Sequence, residues 1–364
     1  MKVCMVIATL ERGGAEKQLV LLATRLDRAR FSPTVVALTR GGPFEDVLRE
    51  HRVPCEVIGK RHGVSPLALA QLRRLLRSLR PDVVHTWMFT ADSYGRVAAK
   101  MAGVRRIVSS ELCVDQWKGP VKRAIDRLLA HVTDCVVPNS ESVAAWLQSV
   151  GLPERIILTI PSAFDPAGYP MKPLEQPAPF SPAPRLIAVG RMYPQKRYDV
   201  LVRAMAEIVR VVPQAQLTIL GEGPCRRQLE PLVASLGLTG RAEMPGEVAN
   251  VPRRMAESDL LLMSSDYEGM PNAVLEAMYV GLPVVATAAP GTRDIVRDGE
   301  TGVLVPLGDH EALARAALSV IRDPQRGHAL AVRARREVLQ QYAVERMVSA
   351  YEALYERLAR ADKP

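Results

Sequence analysis

With 364 residues, 48% of them hydrophobic and 24% charged, the chain is long enough for two globular domains, each with its own core. No apolar run approaches the roughly 20 residues of a membrane-spanning helix. The five scattered cysteines form no C-x-x-C pair, which argues against a disulfide framework or zinc site and for a reducing, cytoplasmic setting. The net charge of +9 is lopsided: residues 1–165 hold 24 Lys/Arg against 16 Asp/Glu, whereas residues 166–364 hold 24 against 23. Such asymmetry points to an anionic partner for the first half. No RNP-like, zinc-finger or helix-turn-helix signature accompanies it, so nucleic acid is not the expected partner and an anionic membrane surface or acceptor is.

The apolar opening ends at Glu11 and Arg12 with no small-residue cleavage pattern behind it, which reads as a buried strand and not a signal peptide. From there Val/Ile-rich runs alternate with amphipathic segments. Strands are predicted over 2–9, 33–39, 54–58, 82–86, 105–109, 133–137 and 156–160, with helices over 15–28, 66–79, 91–102 and 121–131. Continuous apolar strands separated by helices imply a parallel sheet covered on both faces. Between 161 and 184 the alternation stops, and eight of the 28 prolines fall there; 166–184 reads as an interdomain linker. A second alternation follows, with strands near 185–190, 215–220, 259–263, 283–286 and 303–305 and helices near 196–211, 225–237, 271–280 and 309–321. The tail over 329–360 is helical. The expected fold class is α/β, two Rossmann-like doubly wound domains facing across a cleft: 1–165, then 185–328, then C-terminal helices over 329–364.

Three loops at the carboxyl ends of these strands carry chemistry, where doubly wound sheets bind ligands. The first, residues 9–16, holds the pair Gly13 and Gly14, which lets a backbone and a helix N-terminus approach a donor; the same pair suits a plain tight turn. The second follows the strand at 185–190 and places Arg191 and Lys196 five residues apart, where a guanidinium and an ammonium can converge on a diphosphate. The third runs Ser264-Ser265-Asp266-Tyr267-Glu268-Gly269-Met270-Pro271-Asn272-Ala273-Val274-Leu275-Glu276 and joins a strand to a helix. There Glu268 lies in the loop and can face a sugar. Glu276, about one and a half turns into the helix, can accept from ribose hydroxyls, and the free N–H groups between Met270 and Ala273, among them that of Asn272 beside Pro271 in the first turn, can hold donor oxygens.

These residues resemble the retaining glycosyltransferases of the GT-B fold, family 4. The E-x7-E pattern stands at Glu268 and Glu276. Further matches, in the family's order, are Val-Pro-Asn-Ser-Glu-Ser at 137–142, Gly-Arg-x4-Lys at 190–196, Leu-Gly-Glu-Gly-Pro at 220–224 and Gly-Leu-Pro-Val-Val-Ala-Thr at 281–287. The resemblance implies phosphate binding by Arg191 and Lys196, sugar contact by Glu268 and ribose binding by Glu276. It also implies a base-facing loop around Gly246 and Val248, a uracil nucleotide, retention of anomeric configuration and C-terminal helices that cross back to the first domain. Ser162-Ala163-Phe164-Asp165 departs from the family's usual Asn-Gly-x-Asp, and Trp87 stands where a second histidine is common. His85 is a catalytic candidate, equally suited to being a satisfied histidine at a strand end, and Glu111 is the acceptor-side candidate.

A departing nucleoside diphosphate gathers negative charge that either a metal or fixed cations must meet. With no Asp-x-Asp motif or ligand-spaced His/carboxylate cluster, and with Arg191 and Lys196 in place, metal-free transfer without a cofactor is expected. The reading is therefore a glycosyltransferase using a nucleotide diphosphate sugar, with a lipid-linked or glycan acceptor in cell-surface polysaccharide synthesis. The rivals are a sugar-nucleotide epimerase of the same fold and a catalytically silent partner subunit. Two basic segments, 71–80 and 117–127, predict salt-sensitive, peripheral membrane association of the first half.

Overall fold

A computed structural model describes residues 1–61, 63–177 and 180–361. It divides into two units, Met1–Ala163 with Val344–Pro364, and Phe164–Ala343. The sheet of the first unit contains β1 (Lys2–Thr9), β2 (Ser32–Arg40), β3 (Cys55–Val57), β4 (Val83–Trp87), β5 (Arg106–Glu111) and β6 (Cys135–Pro138), in the order β3-β2-β1-β4-β5-β6. That of the second contains β7 (Arg185–Val189), β8 (Gln216–Leu220), β9 (Ala242–Gly246), β10 (Leu260–Met263), β11 (Val284–Thr287) and β12 (Val303–Val305), in the order β12-β11-β10-β7-β8-β9. Every recorded pairing is parallel. Both sheets thus share one topology, reversing direction between the first and fourth strand of each. The middle strands are apolar on both faces: Val3 to Ile7 in β1 and Leu260 to Leu262 in β10 are all buried.

Several predicted elements shift. The strand expected over 156–160 is a 3₁₀ turn, Glu154–Ile156, followed by a single bridge from Ile157 to Val136. The stretch 166–184, expected to be a linker, belongs to the second unit. Its described part is fastened there: the Phe164 ring lies 4.9 Å from that of Tyr169 and 4.7 Å from that of Tyr279, and the Lys172 N–H donates to the Val280 carbonyl at 2.9 Å. Pro179 lies outside the described residues. The helices of the tail also divide. Helix Pro324–Gln341 buries Leu330, Ala334 and Val338 in the second unit, whereas helix Val344–Arg360 buries Met347, Tyr351, Leu354 and Tyr355 in the core of the first. Among the described residues no helix is long and apolar enough to cross a membrane.

Candidate functional site

In the second unit, β7 and β10 lie side by side where the strand order reverses. Their carboxyl ends carry the second and third sequence loops. After β7 the chain passes Gly190 and Arg191, makes a 3₁₀ turn over Pro194–Lys196, and enters helix Tyr198–Val211 through Arg197. After β10 it runs through Ser264 and Ser265 to Glu268, then starts helix Asn272–Val280. The two loops meet in an ion pair, with Lys196 Nζ 2.5 Å from Glu268 Oε1. The Ser265 hydroxyl donates to the same Glu268 oxygen at 2.6 Å, and the Ser264 hydroxyl donates to the Lys196 carbonyl at 2.7 Å. Glu268 is buried, and its own N–H donates to the Pro290 carbonyl at 3.0 Å. Both side chains are therefore held in one geometry beside a helix N-terminus. Arg191 is exposed, with its guanidinium carbon 5.1 Å from the centre of the Tyr193 ring. Arg197 is instead bound to Asp199 and Asp266.

Glycines line the adjoining strand ends. The Gly190 N–H donates to the Leu220 carbonyl at 2.9 Å, and the Gly221 N–H donates to the Gly246 carbonyl at 2.9 Å. These bonds carry the ladder of β7, β8 and β9 past the end of the strands, with Gly246 at φ +86. Val248, two residues on, packs against the core around Met255 and Met263. Glu276 is buried on helix Asn272–Val280, where the Tyr169 hydroxyl hydrogen-bonds to it; burial, and then the Glu276 charge, hold that phenol far above its ordinary pKa. A larger cavity in this unit, between Lys172 to Gln176 and helix Pro324–Gln341, is lined by Asp259 and Pro283. These residues precede β10 and β11, so it lies at the amino end of the sheet, away from the ion pair.

In the first sheet the candidate residues His85 and Glu111 are buried. His85 in β4 is wholly buried; its Nδ1 is 2.7 Å from the Tyr355 hydroxyl and its Nε2 2.8 Å from Ser110 Oγ. Burial alone pulls its pKa down to about 3, so the ring is neutral. Next to it, Met88 takes φ +66, a strained value for a non-glycine residue, as the chain turns into helix Met88–Ala102. At the end of β5, Glu111 Oε1 lies 2.9 Å from Lys118 Nζ, which also meets Asp126 at 3.0 Å and Asp115 at 3.2 Å. Arg96 reaches Asp126 at 3.2 Å and lies 4.0 Å from Asp92. Four buried carboxylates thus face two cations. Burial raises Glu111 well above the usual carboxylate range. Burial works against the Lys118 charge too, but its three carboxylates outweigh that cost and raise its pKa.

Comparison with known proteins decides the family. Residues 12–167 match the family described as Glycosyltransferase Family 4, and residues 183–323 match Glycosyl transferases group 1. The chain is 31% identical over 349 residues to the lipopolysaccharide core biosynthesis glycosyltransferase LpsE of Rhizobium meliloti (strain 1021), covering 93% of this chain and 94% of that one. The chain belongs to the family 4 glycosyltransferases. A GDP-mannose-dependent alpha-(1-6)-phosphatidylinositol monomannoside mannosyltransferase of Mycolicibacterium smegmatis (strain ATCC 700084 / mc(2)155) is 28% identical to the transferase, over 74% of this chain and 75% of that one. In fold, the transferase matches the crystal structure of Anabaena Alr3699/HepE in complex with UDP and glucose. That match has a TM-score of 0.86 at 23% identity and covers 98% of this chain and 99% of that one. The two Rossmann-like sheets are those of the GT-B fold.

Of the expected site residues, the structure brings together Lys196 and Glu268 in direct contact, and sets Arg191, Met270, Pro271, Asn272 and Glu276 on the same two loops and helix. Gly246 joins them through Gly221. Gly13 and Gly14 open helix Gly14–Arg25 at the carboxyl end of β1, where a side chain at Gly13 would collide with the Glu16 carboxylate. The structure places the other two candidates apart from these loops: both ring nitrogens of His85 meet side-chain hydroxyls in the core, and Glu111 is buried against Lys118. Lys118, counted above in a basic segment, is wholly buried. Sequence reasoning missed Tyr169 and Gly291, whose added Cβ would overlap the Gly269 carbonyl oxygen. Ser265 and Gly221 were quoted only as parts of motifs. The φ of Gly221 is +134, and a Cβ there would overlap the Gly190 carbonyl oxygen. Gly221→Ala should therefore force the loops of β7 and β8 apart, at a cost of about 1–3 kcal/mol, and weaken nucleotide binding. An unchanged melting temperature together with unchanged UDP affinity would refute that role.

Proposed function

We propose that this transferase takes its sugar from a UDP-sugar and passes it, with retention and without a metal ion, to a lipid-linked or glycan acceptor in cell-surface polysaccharide synthesis. The observation that carries the reading is the Lys196–Glu268 pair at the switch point, held at 2.5 Å beside a helix N-terminus. A diphosphate entering there meets the Lys196 ammonium, the Arg191 guanidinium and the first-turn N–H groups, all of which favour negative charge on the leaving group. With the charge met in this way, a chelator should leave the rate unchanged. In front-face retention the C1–O bond to the diphosphate breaks as a bond from C1 to the acceptor oxygen forms. The acceptor proton passes to the departing phosphate oxygen, and no separate base is needed. Glu268 then orients the sugar and Glu276 the ribose, and Gly13 and Gly14 are further donor-binding candidates. The lipopolysaccharide role in the name of the Rhizobium relative supports a cell-surface product, and UDP in the Anabaena complex supports the nucleotide. The Mycolicibacterium relative is named for GDP-mannose, so the base is tested directly. Peripheral attachment to the inner face of an anionic membrane completes the reading.

Calorimetric titration with UDP and with GDP, followed by a product assay with the preferred sugar nucleotide, is the test. Glu276→Ala should lose about 1.5–3 kcal/mol of UDP affinity, the worth of a charged hydrogen bond, whereas Glu268→Ala should keep most UDP affinity and lose turnover. Equal losses of affinity in both variants would refute the division of roles. A free epimerised sugar nucleotide as product would make the epimerase the correct reading.

A further inference from the structure

Helix Pro120–Ala130 of the first unit carries an apolar stripe on its outer face. Val121, Ile125 and Leu128 recur at i, i+4 and i+7, which puts them on one side, and they are 72%, 36% and 70% exposed. Trp117, in the loop just before the helix, is 51% exposed. Single exposed leucines are ordinary on a protein surface, but three large apolar groups on one helix face with an exposed indole just before them mark a contact surface.

The charges around the stripe indicate what it meets. Residues 111–131 contain three acids, Glu111, Asp115 and Asp126, and all three are buried on Lys118. Around the stripe the segment keeps the cations Lys122 and Arg127, with His131 beyond them and Arg123 half-buried. The Lys122 ammonium lies 4.0 Å from the centre of the Trp117 ring. The fold therefore withdraws every carboxylate of the segment from the face that presents aliphatic groups, an indole and cations. An anionic lipid interface matches all three: aliphatic side chains enter the acyl boundary, indoles settle at headgroup level and cations meet phosphates.

We propose that helix Pro120–Ala130 and Trp117 form the surface through which the transferase docks on an anionic bilayer, with the Val121–Ile125–Leu128 stripe inserted. The proposal rests on the peripheral-membrane reading above and changes its character. Charge alone would give binding that high salt abolishes, whereas an inserted stripe leaves a part that salt does not remove.

Co-sedimentation of the full chain with phosphatidylcholine vesicles, and with phosphatidylcholine–phosphatidylglycerol vesicles, at low and high salt is the test. The wild-type chain should bind the mixed vesicles, bind pure phosphatidylcholine weakly, and keep a measurable fraction on the mixed vesicles at high salt. Val121→Glu with Leu128→Glu should lower partitioning at least about tenfold. Replacing Arg73, Arg74 and Arg77 of helix Pro66–Leu79 by Ser should cost less. Both sites of the Glu variant are exposed, so its melting curve and UDP affinity should match the wild type. Wild-type binding that the Glu variant retains in full would overturn this docking face and leave the membrane reading standing. Wild-type binding to neither vesicle would overturn both. A self-associating wild type that ignores vesicles, dispersed by the same substitutions in sedimentation velocity, would reassign the stripe to contacts between copies.

Discussion

Lys196→Met should reduce sugar transfer by roughly 30-fold to several thousand-fold while the protein stays folded. The estimate takes about 2–5 kcal/mol for removing one member of a buried, hydrogen-bonded charge pair that also serves the ligand, at 1.36 kcal/mol per decade of rate. Part of that loss arises because the buried Glu268 side chain loses its cation and is left with the Ser265 hydroxyl bond. The double variant Lys196→Met with Glu268→Gln separates stability from rate. It removes both charges, so the melting temperature should recover, yet turnover should stay low because the diphosphate lacks its cation and the sugar its carboxylate. Arg191→Ala should also cost orders of magnitude in rate and little in stability, since that side chain is exposed. A double variant that regained wild-type turnover would show the pair to be structural and would end the phosphate-binding assignment.

The second large effect is one of stability. Lys118→Met leaves Glu111, Asp115, Asp126 and Asp92 buried with Arg96 as the remaining cation of the cluster. Removing one partner of a buried ion pair costs about 3–5 kcal/mol, which for a unit of this size lowers its melting temperature by roughly 6–20 °C. The pH dependence has a definite sign. Burial raises Glu111, Asp115 and Asp92 above their ordinary values in the folded state. A carboxylate raised in this way contributes stability that is full below its unfolded pKa, near 4, and is lost as pH rises through the folded one. Without Lys118 the folded values climb further, so the variant's deficit should be smaller at pH 5 than at pH 8. Melting curves at the two pH values measure it, and an equal deficit at both would mean that the cluster's protons are not involved.

The strands that were legible in the sequence are those whose apolar runs are continuous, such as Lys2–Thr9 and Leu260–Met263. The missed strand, Ala242–Gly246, reads Ala-Glu-Met-Pro-Gly; it lies at the sheet edge, where pairing on one side tolerates a proline. Residues 156–160 failed for the opposite reason, since their isoleucines resemble a strand yet make a single bridge. In the site, each loop was legible by itself, but the contact between Lys196 and Glu268 spans 72 residues and exists because β10 returns beside β7. His85 was ambiguous because its partners, Tyr351 and Tyr355, come from the last helix, which no local pattern contains. The inward turn of Asp126 and Lys118 was equally hidden: a helical wheel shows which residues share a face, not which face the fold covers.

The order in which the chain is made follows from the way it is divided. Phe164 and Ala343 are bridged to each other, and the Phe164 N–H donates to the Tyr342 carbonyl at 2.8 Å, so the second unit leaves the first and comes back at one seam. Its whole length is continuous and can close as soon as it emerges. The first unit cannot, because Tyr351, Leu354, Tyr355 and Leu358 of its core are the last of its residues to be synthesised. At about 5–20 residues per second, translation of residues 164–343 keeps the first sheet waiting roughly 10 to 40 s, with His85 and the core beside β4 lacking their tyrosines. The half of the transferase that is made first is therefore finished last.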